Sequence, residues 1–308
     1  MSIIFGPINS RRFGRSLGVD LSPNTKQCNF DCLYCELKSV SVVDSYKDVV
    51  STQEIVAQIK EALSRYKDID VLTLTANGEP TLYPHLDELI DSINSFKGDI
   101  KTLILSNAST IYKKATCEAL LKLDSVKLSL DCASAMCFKK LDRADSSVDL
   151  EKIKEGMLQF KEQYSGNLLI EILFVEGIND NLQEVAKLNE FLLKLKPARI
   201  DIGTIDRPPA YNIKPVSYDK LYNLSLGFSK ELNIAIATKQ NSKIEKFNYT
   251  KAEILQTLSL RPLTIDDINM LFSSDSKDRF KELLNSGKIE KVDNLGVEFY
   301  RSKQIWEM

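Results

Sequence analysis

The sequence holds one histidine, His85, and no apolar run of about 18 residues. Each shortage excludes a class of function. One imidazole rules out a multi-histidine zinc site and any mechanism that needs several imidazole bases. Without a long apolar run no membrane span is expected. The opening MSIIFGPINSRRFGRS lacks an apolar stretch before a small-residue cleavage site, so no secretory signal is read. The formal net charge is −2, and with neither sign in excess the composition points to no polyanionic partner. Internal repeats and low-complexity tracts are also missing. The expected location is the cytoplasm, a reducing compartment where clustered thiols bind metal or do redox work more often than they form disulfides.

Cysteine is scarce too, yet three of the six fall in CNFDCLYCEL, at Cys28, Cys32 and Cys35. A structural zinc needs four closed ligands, usually two CxxC pairs. No fourth ligand lies nearby, and Cys117, Cys132 and Cys137 follow far downstream at no matching spacing. A cuboidal 4Fe–4S cluster, by contrast, can be held by three cysteines with one iron left open to a substrate or cofactor.

From residue 50 to about 238 the pattern alternates between strand and helix. Ser51 and Glu54 stand in capping-box register before a helical face of Ile55, Ile59 and Leu63. Strands are expected at 18–22, 71–76, 102–106, 126–131, 168–175, 199–205 and 234–238. Between them helices are expected over 85–96 and 112–123, at Leu150, Ile153, Met157 and Phe160, at Val185, Leu188 and Leu192 with Asp180 as cap, and near 218–232. Continuous apolar strands in alternation with helices imply a parallel sheet covered by helices. Six or seven units are too few for a closed eight-stranded barrel, so the fold class is α/β, a partial, open (β/α)6-type barrel over residues 1–238. Ligands should then sit at the C-terminal ends of the strands. Residues 239–249 read as a polar linker. Over 250–308, three short helices precede a hairpin turning at Asp293–Gly296, the pattern of a winged-helix domain. Its lysines and arginines are matched by acids, so a protein-contacting appendage is weighed at least equally with a nucleic-acid reader.

CNFDCLYC resembles the CxxxCxxC signature of the radical S-adenosylmethionine (radical SAM) enzymes, including the aromatic Tyr34 before the third cysteine. TANGEPTL, 75–82, follows the next strand, where the family carries its GGE or GEP turn; Asn77 departs from the commoner first glycine. The resemblance implies a 4Fe–4S cluster on Cys28, Cys32 and Cys35, with S-adenosylmethionine chelating the open iron and cleaved to a 5′-deoxyadenosyl radical that abstracts a substrate hydrogen. It assigns Asn77, Gly78 and Glu79 to the SAM ammonium, and Asn107, Ser129 and Asp131, at strand ends, to its carboxylate or ribose. It also implies a one-electron donor such as flavodoxin or ferredoxin. The opening FGPINSRRFGRSLGVDLSPNTKQCNFDCLYCEL is similar to a subgroup related to the wyosine base-formation enzymes of tRNA. That likeness points to a tRNA base, or else a protein, as substrate, and names none. The rival reading is an iron–sulfur sensor that binds DNA or protein through the winged helix.

Other residues carry paired readings. Arg11, Arg12 and Arg15 either grip a substrate anion or pin the N-terminal arm. Asp206 and Arg207, at a strand end, are placed on the substrate side. Cys117, Cys132 and Cys137 are read as free thiols rather than an auxiliary cluster, and His85 as a helix-start residue.

Overall fold

Alternating buried strands and amphipathic helices build a parallel sheet. The computed structural model describes residues 3–10, 13–236, 246–260, 262–294 and 297–303. The first strands are β1 (Ile4–Ser10) and β2 (Gly14–Asp20), followed by α1 (Thr52–Arg65), β3 (Val71–Thr75), α2 (Leu86–Phe96) and β4 (Lys101–Ser106). Next come α3 (Lys114–Leu120), β5 (Ser125–Ser129), α4 (Ala135–Leu141), α5 (Leu150–Gln163) and β6 (Asn167–Phe174). The series ends with α6 (Leu182–Leu195), β7 (Arg199–Thr204), α7 (Tyr218–Ser225) and β8 (Ile234–Ile236). The strands lie in sequence order in one eight-stranded sheet, open between β1 and β8. β1 runs antiparallel to β2, and β2 to β8 are parallel. This is the open, partial barrel expected.

Two elements go beyond the expectation. β1 carries a proline and a glycine, which disguise a strand in sequence. α4 lies in what the sequence presents as loop, with Ser134 as N-cap accepting from the Cys137 amide. One cap is as expected and one differs. Ser51 caps α1 through the Glu54 amide. Asn181, not Asp180, caps α6, and Asp180 instead accepts from the Gly177 amide and pairs with Lys220.

A second set of elements follows: α8 (Lys251–Leu260), β9 (Leu263–Thr264), α9 (Ile265–Leu271), α10 (Ser274–Asn285), β10 (Ile289–Asn294) and β11 (Val297–Ser302). Its strands form a three-stranded sheet in the order β10-β11-β9, and its apolar residues, among them Tyr249, Ile254, Leu258, Phe272 and Phe280, make a core of their own. Most of the expected linker, Lys239 to Glu245, lies outside the described residues, as do Leu295 and Gly296 of the hairpin turn.

This C-terminal set packs where β1 and the start of β2 lie. The buried Tyr249 hydroxyl donates to the Pro7 carbonyl at 2.5 Å. Glu253 accepts from Arg65 and Tyr66 at the end of α1, and the Arg15 guanidinium lies 5.0 Å over the Phe247 ring. Arg15 thus pins the two parts together, its amide also donating to Asp70, and is not on the ligand side of the sheet. Arg11 and Arg12 lie outside the described residues. Removing the Tyr249 hydroxyl leaves a buried carbonyl without its donor, which costs about 1–3 kcal/mol. Tyr249→Phe is therefore expected to lower the urea midpoint by that equivalent at an unchanged m value; an unmoved midpoint would show that this contact carries no stability.

Candidate functional site

The cysteine loop leaves the C-terminal end of β2 and is fixed there by one residue, Gln27. Its amide donates to the Asn77 carbonyl at 2.8 Å, and its carbonyl accepts from the Glu79 amide at 3.0 Å. Gly78 faces this bridge with φ +135°, and a Cβ on it would come within 1.9 Å of the Gln27 carbonyl oxygen. Only glycine permits both the conformation and the approach. The Gln27 side chain secures the return of the loop, donating to Ser22 Oγ and the Asp48 carbonyl and accepting from the Lys47 and Asp48 amides.

The three thiols are unpaired and half-buried. Cys28 Sγ accepts from the Phe30 amide at 3.4 Å and more distantly from Asn107 Nδ2 at 3.8 Å. Cys35 Sγ accepts from Lys26 Nζ at 3.5 Å. The Asp142 carboxylate lies near the Cys32 thiol and disfavours its charged form. Burial, then the Glu79 carboxylate, push the Cys28 thiol up to about 12; burial, then Asp142, push Cys32 well up. Burial raises Cys35, against the opposing charge of Lys26.

Spacing discriminates between metal species. Among the described residues, the one group of three potential ligand side chains with all ligand atoms within 4.8 Å of one another is Cys132, Cys137 and Glu184. The sulfurs of Cys28, Cys32 and Cys35 are therefore spread more widely. A single tetrahedral zinc, with Zn–S near 2.3 Å, needs sulfurs roughly 3.8 Å apart. As placed, the three sulfurs do not stand at the spacing of a single ion.

Around this loop the structure gathers Tyr34, Asn107, Ser129 and Asp131, which line one pocket with Phe30 and Asp142. Their side chains are partly committed. The Tyr34 hydroxyl donates to Asp131 Oδ2 at 2.5 Å, and the Leu173 amide to Asp131 Oδ1 at 2.6 Å. Asn107 Nδ2 donates to Asn29 Oδ1 at 3.0 Å, while its Oδ1 accepts from the Ser109 amide. Asn77, Gly78 and Glu79 are placed apart from that pocket. Glu79 is buried, and four protein donors meet its carboxylate: the Thr81 amide and hydroxyl, the Ser106 hydroxyl and the Asn107 amide, at 2.6–3.0 Å. Such a carboxylate ties the turn to the end of β4.

Several participants were not visible in the sequence. Asp142, at the end of α4, and Asn29, inside the CxxxCxxC spacing, carried no periodic or motif signal. The segment after β7 straps the cysteine loop: Arg207 grips both oxygens of Glu36 at 3.1 and 3.2 Å, the Ala210 amide donates to the Cys35 carbonyl, and the Tyr211 hydroxyl donates to Asp31. Arg207 thus serves the cysteine loop, where a substrate-side role was expected. Cys132 and Cys137 are disulfide-bonded to each other, correcting the free-thiol reading, and Cys117 stands apart on α3. The pairing joins two positions that the unnoticed helix α4 brings together. His85 occupies the N-cap position of α2 without a side-chain cap, its ring edge-on to Tyr83.

Buried acids near the site have an effect on stability. Burial raises Asp20 to about 6, and its Oδ2 has no hydrogen-bond partner. Burial likewise raises Glu79, Asp131 and Asp142. For a carboxyl whose folded pKa lies above the unfolded one, the stabilising contribution is complete below pH about 4 and is lost as pH rises through the folded value. The cluster-free chain should thus lose stability between pH 5 and 7.5. Asp20→Asn, which keeps the acceptor for the Ser22 and Asn77 amides, should remove about 1.4 kcal/mol of that loss. Denaturant titrations at the two pH values check this; equal or greater wild-type stability at pH 7.5 would refute it.

Comparison with known proteins agrees with this geometry. A UPF0026 protein of Helicobacter pylori (strain J99) is 40% identical over 304 residues, covering 97% of this chain and 97% of its own. The UPF0026 protein MJ1312 of Methanocaldococcus jannaschii is 30% identical over 97% of this chain and 96% of its own. The fold is shared with Streptococcus suis SuiB bound to S-adenosylmethionine, at a TM-score of 0.55 and 20% identity over 72% of this chain and 51% of that one. This chain thus spans about half of SuiB's length. The family model described as the radical SAM superfamily matches residues 24–189, more than half of the chain and all of the cysteine loop. The chain belongs to the radical SAM superfamily, whose members use a 4Fe–4S cluster and S-adenosylmethionine.

Proposed function

We propose that the protein is an enzyme that reductively cleaves S-adenosylmethionine at a 4Fe–4S cluster held by Cys28, Cys32 and Cys35 and abstracts hydrogen from a substrate bound at the barrel mouth. The observation that carries this reading is the set of three half-buried thiols, not all within 4.8 Å of one another, beside a pocket at the strand ends lined by Tyr34, Asn107, Ser129 and Asp131. When bound, the cluster and SAM supply a carbon-centred adenosyl radical. The chain's own part is to position and to enclose. The turn at Asn77 and Gly78 offers backbone groups to the SAM ammonium, and Asn107, Ser129 and Asp131 offer polar atoms to its carboxylate and ribose. Tyr34, held by Asp131, walls the cysteine side of the pocket, and the Arg207–Tyr211 strap excludes water from the loop.

The substrate reading is a tRNA base, supported by the likeness of residues 5–37 to the wyosine-related subgroup. The electron donor would be a flavodoxin or ferredoxin. Residues 250–308 read as a winged-helix domain after the linker 239–249, supported by the order helix, strand, helix, helix, hairpin and by a separate core. Its packing on β1 and Arg15 places it by the N-terminal end of β2, away from the cysteines. That position favours a role in holding the barrel's edge, or in gripping a large substrate at a distance, over delivery by direct contact at the mouth. The sensor alternative is not favoured, because a sensor has no use for a SAM site.

Anaerobically reconstituted protein should carry about four irons and four sulfides per chain, and alanine at all three cysteines should abolish them. With dithionite the wild type should release methionine and 5′-deoxyadenosine from SAM without any substrate. If no deoxyadenosine forms and SAM leaves the cluster's spectrum unchanged, the enzymatic reading fails.

A further inference from the structure

The three sulfurs of the cysteine loop sit in unequal surroundings. Cys28 meets amide donors, Cys32 meets a buried carboxylate, and Cys35 meets an ammonium, Lys26 Nζ at 3.5 Å. Two arginines beside the loop are matched by acids. Arg143 lies 3.2 Å from Asp31, and Arg207 lies 3.1 Å from Glu36. For Lys26 Nζ, by contrast, Cys35 Sγ is the hydrogen-bond partner, and no ion pair with a carboxylate is formed among the described residues. Among the described residues, Lys26 is the lysine whose ammonium is hydrogen-bonded to a sulfur of the loop. Deeper in the site the ionisable groups are acids: Glu79, Asp131 and Asp142, all buried.

We propose that Lys26 sets the reduction potential of the cluster through its ammonium on Cys35. The inference rests on the cluster reading of the preceding subsection. Reduction adds one electron to the cluster, supplied by a low-potential donor protein or, in the test, by dithionite. The step is electron transfer alone, and no bond forms or breaks. The added negative charge is spread over iron and sulfur, so a cation hydrogen-bonded to a ligand sulfur stabilises the reduced state more than the oxidised one. Hydrogen bonds to sulfur, net charge and solvent exposure are the levers by which a protein moves such potentials. In a half-buried loop the charge is screened less than on an open surface. A donor of given strength then reduces the cluster more completely with Lys26 present.

The test uses the full chain, reconstituted anaerobically, as wild type, Lys26→Met and Lys26→Arg. Iron per chain is counted first, and the midpoint potential is then measured by mediated titration, followed by absorbance and electron paramagnetic resonance, without SAM. The expected result is equal iron content, a clearly more negative midpoint for Lys26→Met, and a midpoint near wild type for Lys26→Arg, which restores the charge. An unmoved midpoint in Lys26→Met would overturn the inference. An unmoved midpoint together with weaker SAM binding would also overturn it, and would reassign the ammonium to the SAM carboxylate. Loss of iron in Lys26→Met but not in Lys26→Arg would overturn it as well, showing that the contact holds the loop together. Absence of a cluster in the wild type is a different failure, that of the functional reading, and the iron count separates the two.

Discussion

Two backbone hydrogen bonds between Gln27 and the Asn77–Glu79 turn hold the rest of the site in place. They join the end of β2 to the end of β3 one residue before the first cysteine, so any shift in the turn moves Cys28 directly. The glycine at 78 is the condition for that closeness, because the backbone of Gln27 occupies the space a side chain would take. From there the ties extend across the sheet. Asp20 accepts from the Asn77 amide, Glu79 accepts from Ser106 and Asn107, and Asn107 reaches back to Asn29 within the cysteine loop. The ends of β2, β3 and β4 and the loop thus form one hydrogen-bonded unit, in which most buried polar atoms are paired and Asp20 Oδ2 is not.

Electrostatically the unit is unusual for a protein interior. Asp20, Glu79, Asp131 and Asp142 are buried close to three thiols, and desolvation raises every one of them. Such an arrangement strains the empty fold and is suited to a bound group that brings positive charge, because iron inverts the local preference of the thiols for the neutral form. The same surroundings explain why the cations near the loop are held so specifically. Arg143 and Arg207 neutralise Asp31 and Glu36 at its two ends, and the Arg143 guanidinium also lies 4.8 Å over the ring of Tyr211, closing the strap.

The C-terminal elements relate to this unit only through the barrel. Their contacts fall on β1, on the end of α1 and on Arg15 at the start of β2, while the cysteines follow that strand's far end, about 20 Å along it. A strand at the open edge of a sheet presents unpaired backbone groups to other chains. Covering β1 is thus a structural service that the C-terminal set performs whatever else it recognises.

By itself the sequence determined the alternating parallel architecture, the cysteine loop, the glycine turn and the second set of elements. Apolar strands and 3.6-residue helical faces are written in local pattern, and the CxxxCxxC spacing is written in order along the chain. Strand ends also placed Asn107, Ser129 and Asp131 at the mouth without any knowledge of side-chain direction. Only the tertiary structure decided what each polar side chain faces. Glu79, expected at the SAM ammonium, is surrounded by four donors from its own turn, from the end of β4 and from Asn107. Arg15 and Arg207 looked available for a substrate, and pack against the C-terminal elements and against Glu36. Asp142, Asn29 and Lys26 gained their places beside the cysteines through α4 and the folding back of the loop. Such pairings join residues far apart in sequence, or residues whose loop must close before they meet. A hydrogen bond depends on a few tenths of an ångström and on direction, and neither is encoded by periodicity.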